Sequence, residues 1–310
     1  MSLSIFAIII FGMLSTTVSA SLNYQTTLMK GTEIFTVDRY DNVRWKTTVN
    51  LSTTPSDWFE GDTNFKGAQS KVTIKGWNDI TWQFYDVFTT IFMAEYFSSE
   101  DIFILLKIMD TAGYSETTIN ANYTDNYDLW YGLRAVWNFT IKDFEELPSY
   151  NDGVMVFENP LDFKTILDDY NNLAADLNGK ISIQIAGYNF PILSADEFIW
   201  QLALNGLAIA KPQPEYLTNL VDELGCVNVS SSGKSLIVER YGETDYTVEI
   251  SYGEEGTLSS LLVKDVDGNI IFQIVSTNSE WIFYLILIII AVCGVGLVVY
   301  IIIKKRKPKR

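Results

Sequence analysis

Residues Ser235–Val275 read SLIVERYGETDYTVEISYGEEGTLSSLLVKDVDGNIIFQIV, and this stretch decides the fold class. Ser235 to Tyr241, Tyr246 to Tyr252, Thr257 to Lys264 and Asn269 to Val275 are rich in β-branched and aromatic residues, which suit a pleated, half-buried surface. Glycine and acidic turn formers separate them at Gly242-Glu-Thr-Asp245, Gly253-Glu-Glu-Gly256 and Asp265-Val-Asp-Gly-Asn269. Strands joined so closely pair antiparallel with their neighbours, so the spacing predicts a meander. Asp265-Val-Asp267-Gly268 resembles a calcium loop only superficially. An EF-hand needs Gly at position six and Glu at twelve, whereas here Gly is fourth and Ser276 is twelfth, which leaves a hairpin turn.

Upstream, the periodicity changes from two to 3.6. Ser194-Ala-Asp-Glu197 is a capping box ahead of an apolar helix, Phe198 to Ala210, and a short helix from Glu215 to Leu224 stops at Gly225. Asn159-Pro160 opens another, with Phe163, Ile166, Leu167, Tyr170, Leu173, Ala174 and Leu177 on one face and Asn178-Gly179 at its end. A strand is expected near Ile181 to Ile185. The first part of the chain reads as strands at Thr32 to Val37, Val43 to Val49, Lys71 to Lys75, Ile80 to Met93 and Tyr127 to Lys142, with a helix from Ser98 or Ser99 to about Asp110. Its tryptophans, Trp45, Trp58, Trp77, Trp82, Trp130 and Trp137, suit either a disulfide-free core or a sugar-stacking platform. The expected fold is therefore an α+β ectodomain with an aromatic β-rich region at 21–155, a helical region at 156–225 and the meander at 226–280, its early and late antiparallel sheets packed on the central helices.

Beyond the meander comes WIFYLILIIIAVCGVGLVVYIII, Trp281 to Ile303, uncharged throughout and followed by Lys304, Lys305, Arg306 and four further residues, three of them basic. At 1.5 Å per residue this run spans roughly 34 Å as a helix, against about 30 Å for a bilayer core. It predicts a transmembrane helix at 281–303 with a basic cytoplasmic tail at 304–310, since positive charge resists translocation. Trp281, Tyr284 and Tyr300 suit the two interfaces, and Lys304, Lys305 and Arg306 the inner one. At the other end, Leu3 to Leu14 is apolar and Val18-Ser19-Ala20 offers small residues to signal peptidase, so 1–20 reads as a signal peptide cleaved after Ala20. The expected topology is a single-pass membrane protein with its ectodomain outside the cell.

Composition narrows the chemistry. The 310 residues contain no histidine, which removes Ser-His-Asp and Cys-His nucleophile systems, His-containing zinc sites and imidazole bases. Catalysis would have to rest on carboxylates, Lys or Tyr. Cys293 lies within the apolar run, so Cys226 is the one thiol of the ectodomain and no internal disulfide can form there. Between Ser21 and Glu280, 16 basic residues face 38 acidic ones, a net charge near −22 that excludes nucleic acid as a partner. No motif implies a cofactor or a metal. Asn50, Asn122, Asn138 and Asn228 each begin an Asn-X-Ser/Thr sequon on the side expected to be translocated.

Lys30-Gly-Thr-Glu33, Trp45-Lys-Thr-Thr-Val49, the Gly-rich meander and the single span with a basic end together resemble uncharacterised archaeal type I cell-surface membrane proteins. The resemblance covers the whole chain and brings no activity with it. Gly256-Thr-Leu-Ser-Ser-Leu-Leu-Val-Lys-Asp-Val-Asp-Gly268 is similar to the terminal strands of bacterial lipoprotein-carrier half-barrels, in which a curved sheet wraps helices around a lipid cavity. Three functions are then open. The first is a non-enzymatic structural or partner-binding surface protein whose partner is an extracellular protein, glycan or lipid. The second is a membrane-tethered carrier of an apolar ligand or lipid, its cavity lined by Phe84, Phe198 and Leu202. The third is a carboxylate-based hydrolase. An enclosed apolar cavity would favour the second, a filled core with an exposed patch the first, and paired buried carboxylates in a cleft the third.

Overall fold

The structure is a computed structural model and describes residues 23–141 and 150–278. Nine strands form one antiparallel sheet: β1 Gly31–Tyr40, β2 Gln69–Gln83, β3 Asn126–Thr140, β4 Tyr150–Phe157, β5 Val229–Ser232, β6 Ser235–Tyr241, β7 Asp245–Tyr252, β8 Leu258–Asp265 and β9 Ile270–Asn278. Their order across the sheet is β4-β3-β2-β1-β9-β8-β7-β6-β5, and the sheet curls into a half-barrel. The α+β class and the antiparallel pairing are as expected. The division into an early and a late sheet is corrected: β1 pairs with β9, Phe35 opposite Ser276 and Val37 opposite Ile274, and fuses the two.

The meander follows the sequence reading closely. In β7, Tyr246, Val248, Ile250 and Tyr252 are buried while Thr247, Glu249 and Ser251 are not, the period-2 pattern of a strand with one covered face. On the other face Lys264 donates to Glu249 at 2.9 Å across the β7–β8 pair. Gly256, at φ 81°, turns between β7 and β8, and its carbonyl accepts from Ile209 N–H at 2.8 Å. A side chain there would collide with the Ile209 carbonyl, so the close approach requires glycine.

The helices are α1 Asn42–Thr48, α2 Phe84–Val87, α3 Ala94–Tyr96, α4 Ser99–Thr111, α5 Glu116–Asn122, α6 Asp162–Asn178, α7 Ile181–Ile185, α8 Ala195–Leu204 and α9 Gln213–Leu224. A π-helical turn, Phe88–Met93, joins α2 to α3. Ser98 accepts from Asp101 N–H and Ser194 from Glu197 N–H, capping α4 and α8, and Gly225 ends α9 in the left-handed conformation.

Several local expectations are overturned. Val43 to Val49 is helical because Asp41 caps the first turn, accepting from Arg44 N–H at 3.0 Å. The strand expected from Ile80 to Met93 stops at Gln83, whose N–H donates to Asp86 at 3.0 Å and starts α2. Ile181 to Ile185 is a helical turn with Ile183 buried. The helix expected to reach Ala210 ends at Leu204, where Asn205 and the positive-φ Gly206 let the chain leave. Helices therefore occur in the first region as well as in the middle.

The core between sheet and helices is aromatic. Phe92 stacks on Tyr170 with ring centroids 3.9 Å apart and on Phe198 at 5.4 Å. Trp45 meets Trp58 at 4.8 Å, and Trp58 meets Trp200 at 5.2 Å. Among the described residues no helix is long and apolar enough to cross a membrane. The expected signal peptide, the span 281–303 with Trp281, Tyr284 and Tyr300, and the tail with Lys304, Lys305 and Arg306 lie outside the described residues.

Candidate functional site

One stretch of the inner wall is not filled by the helices. Alternation places Gly31, Glu33 and Phe35 of β1 on one face, as it does Ser70, Val72 and Ile74 of β2 and Arg134, Val136 and Asn138 of β3. The register brings them level: Gly31 opposite Ile74, Glu33 opposite Val72, Phe35 opposite Ser70, and then Ile74 opposite Arg134 and Val72 opposite Val136. These side chains form the floor of a hollow of about 380 Å³, which Val154 of β4 and Ile274 of β9 extend to either side. Trp58, Phe59, Leu204, Gly206, Thr257 and Leu258 cover it, with Met29, Lys30, Asp57, Glu60 and Asn205 at its more exposed margins. The volume falls in the range of about 300–1,000 Å³ usual for small-molecule sites.

The cover is held rigidly. Phe59 stacks on Phe272 at 6.3 Å and meets Phe139 edge-on at 6.1 Å, while Asp62 N–H donates to the Phe139 carbonyl at 2.8 Å. Over the opposite part of the floor, Arg134 Nη2 donates to the Asn205 carbonyl at 2.9 Å. Gly206 beside it has no room for a Cβ, because the guanidinium occupies that space.

The walls mix hydrocarbon and rings, from Phe35, Val72, Ile74, Val136, Trp58 and Phe59, with polar side chains that include Ser70, Arg134 and Asn138, and Glu33 is the carboxylate set into the floor. Its two oxygens accept from Thr257 Oγ1 at 3.0 Å and from Ser276 Oγ at 3.2 Å. Burial pushes its pKa up, the two hydroxyls pull it partly back, and the neighbouring Glu255 raises it again. Asp57 and Glu60 stand at the exposed margin. Among the described residues no group of three His, Cys, Asp or Glu side chains is placed to hold a metal ion.

The residues suggested by the sequence lie elsewhere. Phe84, Phe198 and Leu202 are buried in the packed core and do not line the hollow. Phe84 sits on α2 against Tyr123 at 4.8 Å, and Phe198 is locked between Phe92 and Phe163. Of the sequon residues, Asn50, Asn122 and Asn228 are exposed. Asn138 instead turns into the hollow, its Oδ1 sheltered from solvent, where no glycan could be accommodated. Asn228 Nδ2 donates to Asp196 at 3.0 Å.

The lining set escaped the sequence reading because its members come from three strands paired across the sheet. The detectable trace is Glu33 itself, an acidic residue in phase with the buried Phe35 and Val37. No family model matches the chain, and no match is found among curated proteins or solved structures.

Proposed function

We propose that this chain binds a small amphipathic ligand of mainly apolar character in the hollow of its half-barrel and, with 281–303 as a span, holds it at a membrane surface. The observation that carries this reading is the unfilled volume of about 380 Å³ on the inner wall, floored by Phe35, Val72, Ile74 and Val136 and covered by Trp58 and Phe59. Deeper in the core the rings meet one another, as Phe92 does Tyr170 and Phe198. An apolar space kept open in such a core forfeits dispersion contacts, and a bound hydrocarbon restores them.

A second reading, docking of another macromolecule, draws on a different observation. Phe103 and Ile104 of α4 and Ile181 and Ile185 of α7 are exposed on two helices that pack together. Large exposed apolar residues grouped in this way mark interaction surfaces.

The test is native mass spectrometry of the full chain, extracted from membranes in mild detergent, with solvent extraction of whatever accompanies it. A lipid or other apolar compound at fixed stoichiometry is the expected result. A ligand-free mass, together with no uptake of added alkyl ligands, would leave the docking surface as the better reading.

A further inference from the structure

Resting on the carrier reading, we infer that the ligand has a protonated amine at one end of its apolar body, and that Glu33 is its counter-ion. Glu33 is set into the floor of the hollow between the apolar positions Phe35 and Val72, and its described partners are two neutral hydroxyls, Thr257 and Ser276. Among the described residues no ion pair joins it to a cation. Arg134 reaches up to the Asn205 carbonyl, and Lys30 stands at the exposed margin.

A carboxylate removed from water and held only by hydroxyls is poorly compensated, and burial accordingly favours its protonated form. A ligand ammonium changes that balance, because a charge-assisted hydrogen bond is roughly twice as strong as a neutral one. The surroundings select the same sign. Glu255 lies close enough to Glu33 to raise its pKa, and Asp57 and Glu60 stand at the margin, so four carboxylates against Lys30 and Arg134 border the hollow. An anionic head group, such as that of a fatty acid, would meet repulsion from Glu33 and from this margin. A primary alkyl amine, with a pKa near 10.4, is positively charged at neutral pH.

The experiment uses the full chain in lipid nanodiscs, titrated calorimetrically with n-octylamine, n-octanol and octanoate, with empty nanodiscs as the blank. The expected ranking is amine tighter than alcohol by about tenfold or more, the octanoate weakest, and the preference for amine over alcohol lost in Glu33→Gln. Equal or tighter binding of the alcohol, tighter binding of the octanoate, or an amine preference surviving in Glu33→Gln would overturn the assignment while leaving the carrier reading in place. Failure of all three to bind would remove the carrier reading itself. The ranking in the unaltered chain needs no variant and stands even if Glu33→Gln fails to fold.

Discussion

Asn178 grips Phe190 by both backbone groups: its Nδ2 donates to the Phe190 carbonyl at 2.7 Å and its Oδ1 accepts from the Phe190 N–H at 2.8 Å. Two turns earlier on the same helix, Asn171 does the same to Leu193, both bonds at 2.9 Å, and Tyr170 donates to the Pro191 carbonyl at 2.8 Å. The amide side chains stand in for a backbone partner, so the segment 190–193 is tied to a helix.

Removing either amide strands a buried N–H and a buried carbonyl. Asn178→Ala and Asn171→Ala should each lower stability by about 1–3 kcal/mol, since each lost partner leaves a desolvated group. Because both variants free the same segment, the double variant should cost less than the sum. Urea denaturation monitored by circular dichroism gives all three values.

Asp162 and Asp169 stand on this helix, in its first turn and two turns further on, in acidic company. Burial pushes each up to about 6; the hydrogen bonds to Asn159 and Tyr127 act against it, while Asp125, together with Asp128 or Asp168 respectively, adds to it. A carboxyl whose folded pKa exceeds its unfolded value near 3.9 holds its proton better in the folded state. Both groups therefore cost stability above about pH 6, and this cost fades as pH falls toward 4. Asp169→Asn should raise the melting temperature at pH 7 and leave it nearly unchanged at pH 4. A gain of equal size at both pH values would contradict the assignment.

Filling the hollow separates ligand binding from folding. Val72→Phe adds a ring to the floor opposite Glu33, in space that no side chain occupies. The expected result is loss of co-purifying ligand with a change in stability within about 1 kcal/mol. A larger loss of stability would mean that the space is not open.

Cys226 should be chemically quiet. Burial, followed by the charge and hydrogen bond of Asp196, pushes its thiol up to about 12, so little thiolate exists at pH 8. Peptide mapping after iodoacetamide treatment of the folded chain should find Cys226 unmodified, with full modification once urea is added. Asp196→Asn removes the charge and should speed the reaction.

What the sequence disclosed follows the range of the interactions. The meander was legible because each turn, such as Asp265 to Asn269, lies between the strands it joins. The helix at 162–178 was legible because its buried face repeats every three to four residues. Val43 to Thr48 misled because β-branched residues favour strands, while one capping bond from Asp41 decides for helix. The π-helical turn at Phe88–Met93 shows the same ambiguity in an apolar run that fits either period. The single sheet was invisible, since the β1–β9 pairing brings together residues more than 200 positions apart, with no local signal. The hollow inherits that difficulty. Phe84 and Phe198 looked like cavity lining because they are large and apolar, properties they share with every ring that fills the core.

The pairing of Glu33 with Asn278 has a mechanical consequence. Two residues, Ser279 and Glu280, lie between Asn278 and Trp281, and a fully extended chain advances at most about 3.6 Å per residue, so the three steps of this leash can pay out only about 11 Å. If 281–303 spans the bilayer as proposed, with Trp281 at its surface, the strand position that carries Glu33 would be confined to the zone of the lipid head groups. On the proposed carrier function, exchange between the hollow and the bilayer would then take place at a fixed, high local concentration rather than by search through solution. Lengthening that leash would slow exchange without altering a single contact of the ligand.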